Sequence, residues 1–196
     1  MFDRLHRHGH LIGIGLAAAL LNACGGGGAS SPDTEPFYIE EQEEWSLVWA
    51  DEFNGSSVDS SNWTFQTGDG SDNGLPGWGN YELQYYQADN ASIQEVDGES
   101  SLVIEARQES VGSSAYTSSR MRSINKFDFQ YGRVEIKAKA APGDGMWSAI
   151  WMLPTSSPYG VWAASGEVDI MEVVNAGTEN QGVFLAAHYG FEWPLN

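Results

Sequence analysis

From Trp45 onward the chain alternates short apolar runs with clusters of Gly, Asn, Asp and Ser. Residues 46–49 (SLVW), 101–106 (SLVIEA), 132–139 (GRVEIKAK) and 183–188 (VFLAAH) are rich in β-branched or aromatic side chains and are read as strands. The third run alternates cleanly. Val134, Ile136 and Ala138 face one side, and Arg133, Glu135, Lys137 and Lys139 face the other, as in a half-buried antiparallel strand. No long stretch of helical periodicity follows residue 30. Many short strands separated by turn signals predict one all-β sandwich, with no internal repeat and no second domain.

The first 23 residues break this pattern and are read as a leader. Arg4 and Arg7 precede an uncharged apolar run, residues 11–21 (LIGIGLAAALL), too short for a comfortable membrane anchor but suited to a signal-peptide core. The run ends at Leu21, Asn22, Ala23 and Cys24, which resembles a bacterial lipoprotein box. On that reading Cys24 is lipidated and the exported protein is held at the cell envelope by acyl chains. The alternative is an ordinary secreted protein with a stray thiol. Residues 24–44, first Gly- and Ser-rich and then acidic, form a tether, and residues 45–196 form the domain. Cys24 is the only cysteine, so no internal disulfide holds the fold together.

Charge narrows the partners. Nine basic against 27 acidic residues leave a net −18, the opposite of a nucleic-acid-binding surface. The same sign disfavours sulfated or carboxylated polymers and leaves a neutral polysaccharide as the easier partner. It also simply keeps a secreted protein soluble and apart from its neighbours. Of eight Trp, at least about half belong in a core by ordinary burial, and the others are free to stack on sugar rings.

Residues 166–175 (GEVDIMEVVN) carry the chemistry. Asp and Glu are poor strand formers, yet three acids sit in a run of Val, Ile and Met. Strand alternation puts Glu167 and Asp169 on one face and gives Glu172 the wrong parity. One extra residue, a β-bulge near Ile170 or Met171, returns Glu172 to that face. Two carboxyl groups about 5–5.5 Å apart are the arrangement of retaining glycoside hydrolysis, one acting as nucleophile and the other as acid. Crowding of like charges raises at least one pKa and helps keep the acid protonated. A solvated strand face and a calcium site are the competing readings. Calcium loops are usually Gly- and Asn-rich, and this run is apolar.

The chain resembles glycoside hydrolase family 16 in its laminarinase-like, endo-β-1,3-glucanase branch. The resemblance rests on seven blocks in the family's order: LVWADEFNG (47–55), GWGNYELQYY (77–86), YTSSRM (116–121), FDFQYGRVEIKAK (127–139), GDGMWSAIWMLP (143–154), WAASGEVDIMEVV (162–174) and AAHYG (186–190). It implies a β-jelly-roll, concanavalin A-like sandwich with a glycan cleft on its concave face. It implies double displacement with Glu167 as nucleophile, Asp169 assisting and Glu172 as acid/base. It further implies that Trp162 and Trp147 line the cleft, that Trp151 is core, that Asn80 and Arg120 hold sugar hydroxyls, and that His188 stands beside the catalytic pair. The family's usual Pro is replaced by Ser148 and by Ala163. No cofactor is implied, and structural calcium has no assignable ligands here.

Family domains usually continue well past the HYG segment, whereas this sequence reaches Asn196, so a C-terminally truncated sandwich with exposed edges and low stability is expected. The leading reading is a monomeric, surface-anchored endo-β-1,3-glucanase. A mixed-linkage glucanase, a red-algal galactanase and a non-catalytic glycan-binding lipoprotein are the alternatives.

Overall fold

The computed structural model describes the backbone of residues 2–7 and all of residues 45–191. Twelve strands follow one another: β1 (Phe2–Arg7), β2 (Ser46–Trp49), β3 (Thr64–Gln66), β4 (Gln84–Tyr86), β5 (Ala91–Val96), β6 (Glu99–Ile104), β7 (Tyr116–Ser118), β8 (Arg120–Arg122), β9 (Arg133–Ile136), β10 (Trp147–Met152), β11 (Glu167–Val174) and β12 (Gly182–His188). Short 3-10 turns are the only helical elements among the described residues. The strands form two three-stranded sheets, β2-β1-β9 and β10-β11-β12, and the pairs β3-β8, β4-β7 and β5-β6. All pairings are antiparallel except β4 with β7.

The expected strands are present, though the regular part of residues 132–139 is shorter than its alternation suggests and ends at Ile136. Phe2–Arg7, inside the stretch read as a leader, pairs through its backbone with β2 and β9. The rest of that stretch, Cys24 and the tether up to residue 44 lie outside the described residues.

Aromatic packing anchors the end of β2. The Trp49 ring stacks on Phe127 at 5.2 Å and meets Trp63 edge-on at 5.8 Å, while Phe53 stacks on Trp63 at 6.2 Å. Asp51 ties this cluster together. Its carboxylate accepts from the Trp63 indole N–H (2.8 Å), from Asn62 Nδ2 (3.1 Å) and from the Phe53 backbone N–H (2.9 Å). Each bond to the ionised group is stronger than a neutral one. A second, polar node is fully buried: Asn90 Nδ2 donates to Thr117 Oγ1 and to the Glu105 carbonyl, both at 2.9 Å, joining the start of β5 to β7.

One glycine is required by its surroundings. Gly70, at φ +88°, lies under the turn that carries Trp78, and a Cβ there would sit 2.1 Å from the Leu75 carbonyl oxygen. This close approach lets the buried Trp78 ring tuck beneath the functional face.

Candidate active site

The site is built on the β10-β11-β12 sheet. On β10, Ala149 lies opposite Glu172, Ile150 opposite Met171, and Trp151 opposite Asp169, so Ile170 has no partner there. On β12, His188 faces Glu167, Ala186 faces Asp169 and Phe184 faces Glu172. Three steps along β11 from Asp169 to Glu172 therefore match two steps along each neighbour. That is the bulge expected from parity, centred on Ile170, and it brings all three acids to one face. Opposed residues share a face, so Trp147, Ala149 and Trp151 line one flank and Phe184, Ala186 and His188 the other.

The three acids differ in their surroundings. Asp169 is buried, 5% exposed, and its Oδ2 lies 3.0 Å from His188 Nε2. Glu167 is half-buried, and its carboxyl is held above the ordinary range. Burial is the largest cause, and the Asp169 charge adds to it. His188 and a hydrogen bond from the Trp162 side chain act in the opposite sense, and Glu172 raises the value slightly. Glu172 accepts a hydrogen bond from the indole N–H of Trp147, Nε1 to Oε1 at 2.8 Å. Trp162 also lies against His188, ring centroids 5.5 Å apart, and its peptide bond to Ala163 is cis.

Arg120 enters from β8. Its guanidinium lies between two indoles, 4.4 Å from the Trp78 ring centre and 4.7 Å from that of Trp151. Its Nε donates to Gln66 Oε1 at 2.7 Å. Burial lowers the pKa of the guanidinium, opposed by the charges of Glu82 and Glu167 among others. Glu82 is held in turn by Tyr86 Oη (2.7 Å) and Gln84 Nε2 (2.5 Å). Burial and the Glu82 charge push the Tyr86 phenol up, so it stays a hydroxyl donor.

The structure thus gathers Glu167, Asp169, Glu172, Trp147, Trp162 and His188, with Arg120 behind Trp151. Asn80 is exposed and bonds Glu82 Oε1 at 3.2 Å, placing it in the Arg120 support network rather than on the carboxylates. Trp151 is not core as expected. It shares the carboxylate face with Trp147, four residues away at strand period, and is half-buried because Arg120 packs over its ring. Phe184 was missed by sequence reasoning. It is 53% exposed opposite Glu172, with its ring over Gly182, where a Cβ would meet it at 2.5 Å. The sequence carried a usable signal, since counting residues 184, 186 and 188 back from His188 at strand period puts Phe184 on this face.

A metal ion would find donors at Glu167, Asp169 and His188, whose ligand atoms lie within 4.8 Å of one another. Two of those donors already engage each other, through the Asp169–His188 contact. What the arrangement offers without further groups is a pair of carboxyls on one face, Glu172 receiving the Trp147 indole hydrogen bond, with the buried Asp169 and its partly exposed partner His188 beside them.

Comparison with known proteins identifies the family. The family model for glycosyl hydrolases family 16 matches residues 80–190. The chain is 40% identical over 159 residues to glucan endo-1,3-beta-glucosidase A1 of Niallia circulans, covering 76% of this chain and 23% of the relative. It is 42% identical over 141 residues to a beta-glucanase of Rhodothermus marinus, covering 69% of this chain and 46% of that one. Among solved structures, the laminarinase catalytic domain of Thermotoga maritima superposes with a TM-score of 0.68 at 43% identity, over 76% of this chain and 58% of that one. The chain therefore spans less than half the length of these two curated relatives. The family model spans the bulged carboxylate strand, and the chain belongs to glycosyl hydrolases family 16, with its all-β jelly-roll fold.

Proposed function

We propose that the protein is a retaining endo-hydrolase of β-1,3-glucan. The observation that carries this reading is the bulge at Ile170, which turns an alternating strand into one with Glu167 and Glu172 on the same face. In the first step the Glu167 carboxylate bonds to the anomeric carbon, the glycosidic C–O bond breaks, and the Glu172 proton passes to the leaving oxygen. In the second step the Glu172 carboxylate takes a proton from water. The water oxygen then bonds to the anomeric carbon, and the bond to Glu167 breaks. Asp169, buried against His188, acts by holding and tuning Glu167.

The choice of β-1,3-glucan is supported by the glucan endo-1,3-beta-glucosidase and laminarinase relatives and by a low basic content that suits a neutral polymer. Lipidation at Cys24, anchoring at the cell envelope and a monomeric state belong to the same proposal, carried by the leader-like run and the Gly-rich stretch after it.

The test is release of reducing ends from laminarin, lichenan and agarose. Laminarin is expected to be cut fastest. Glu167→Gln and Glu172→Gln should each lower the rate on laminarin by on the order of 10²–10⁴-fold, the range of a lost acid–base group or more. Near-full activity in either variant removes that residue from its role. Laminarin bound but uncut by the wild-type protein would instead make it a glycan-binding module.

A further inference from the structure

We propose that Trp147 is the positioning residue of the proton-donating carboxylate. Its indole N–H holds Oε1 of Glu172 and leaves Oε2 as the oxygen that carries the proton to the leaving group. The inference rests on the reading of Glu172 as acid/base. It assigns Trp147 a task beyond that of a sugar platform.

The geometry comes from the register. Ala149, not Trp147, is directly opposite Glu172. Trp147 is two residues away on the same face, a diagonal neighbour within reach of an aromatic side chain. The residue between them on that face is Ala149, whose methyl leaves the path open, and the indole crosses it to meet Oε1 at 2.8 Å. Among the described residues this is the only hydrogen bond that Glu172 accepts. The bulge turns Glu172 toward the face but does not by itself choose its side-chain rotamer.

An indole N–H donates and never accepts. It can bond only to a carboxyl oxygen that is not using its own proton toward the same point. When Glu172 is protonated, the bond to Oε1 places the acid hydrogen on Oε2. When the proton has left, the same bond remains on the carboxylate. The interaction is thus made in both states and specifies one oxygen throughout the cycle. The ring itself is 50% exposed, so core packing is not what holds it there.

Trp147→Phe separates the two tasks, since it keeps an aromatic ring and removes the donor. Two substrates read the result: laminarin, whose leaving group needs a proton, and a 2,4-dinitrophenyl β-laminaribioside, whose leaving group does not. We expect Trp147→Phe to lower kcat/KM on laminarin by about ten- to a hundredfold, the size of one lost hydrogen bond to an ionisable group. KM for laminarin and kcat/KM on the aryl glycoside should stay within about twofold of wild type. Trp147→Leu, lacking ring and donor, should add a rise in KM on both substrates. Circular dichroism and melting point should match wild type in each, as the side chain is half exposed.

Equal losses on both substrates, or a raised KM with unchanged kcat in Trp147→Phe, would make the residue a platform only and overturn the proposal. No loss on either substrate overturns it as well. A wild-type protein that cuts neither substrate overturns the glucanase reading beneath it, a separate and recognisable result.

Discussion

Two indole–carboxylate pairs of the same length do different things in this molecule. The Trp63 indole donates to Asp51 and the Trp147 indole donates to Glu172, both at 2.8 Å. Asp51 also receives the Asn62 amide and the Phe53 backbone N–H, and Trp63 is wedged against Trp49 and Phe53. A carboxylate so fully engaged is committed to holding the aromatic cluster together. Glu172 has one indole partner, faces a half-exposed Phe184, and lies on a sheet face that it shares with two other acids. An acid with many donors in an aromatic cluster is part of the scaffold. An acid with one donor on an open face is available for chemistry.

The largest effect expected from this contrast is on stability. Trp63→Ala should cost about 3 kcal/mol, the low end for a large aromatic truncation because the ring is not fully buried. Trp147→Ala should lie within about 0.5 kcal/mol of wild type in the same urea titration. Comparable costs for the two would erase the distinction between scaffold and site.

Next comes the carboxylate itself. Asp51→Ala leaves three donors without their acceptor and should cost about 1.5–3 kcal/mol. Glu172→Gln should barely move the unfolding midpoint while removing activity. If Glu172→Gln destabilises as much as Asp51→Ala, the acid/base candidate is a structural residue.

The smallest effect sharpens the comparison through pH. Glu167 has a raised pKa in the fold, so folding favours its protonated form relative to the unfolded chain. Its stabilising contribution is complete below the unfolded value and is lost as pH rises through the folded one. Glu167→Gln should therefore gain melting temperature over wild type at pH 7 and little or none at pH 4. The nucleophile must be ionised to act, so the acidic limb of kcat/KM should lie above 4.5, the ordinary Glu value. Trp162→Phe, which removes a hydrogen bond that favours the ionised form, should move that limb further up. A limb at or below 4.5, or one shifted down in Trp162→Phe, contradicts the electrostatics described for Glu167.

Much of the site was legible in the chain. The wrong parity of Glu172 demanded a bulge, because strand side chains repeat every two residues and a shared face needs an even spacing. His188 was placed beside the acids, and pairs with Asp169 across β11 and β12. Less was legible at the Trp pairs. Trp147 and Trp151 are four residues apart and so share a face of β10 by parity alone. Burial was nevertheless expected to separate them. Instead Arg120 covers Trp151, and Arg120 comes from β8, distant in sequence. Asn80 shows the same limit, since its partner depends on how the Pro76–Gly79 turn folds around Trp78.

By itself the sequence determined the all-β class, the strand that carries the acids and the need for one extra residue within it. These follow from local periodicity and from side-chain types that a strand does not otherwise tolerate. Only the tertiary structure decided that Ile170 is the residue left unpaired, that Arg120 lies between Trp78 and Trp151, and that Glu172 meets the Trp147 indole N–H. Those outcomes depend on register between strands and on the direction of long side chains across them. A diagonal contact such as Trp147 to Glu172 joins residues 25 apart in the chain, and no local pattern encodes it.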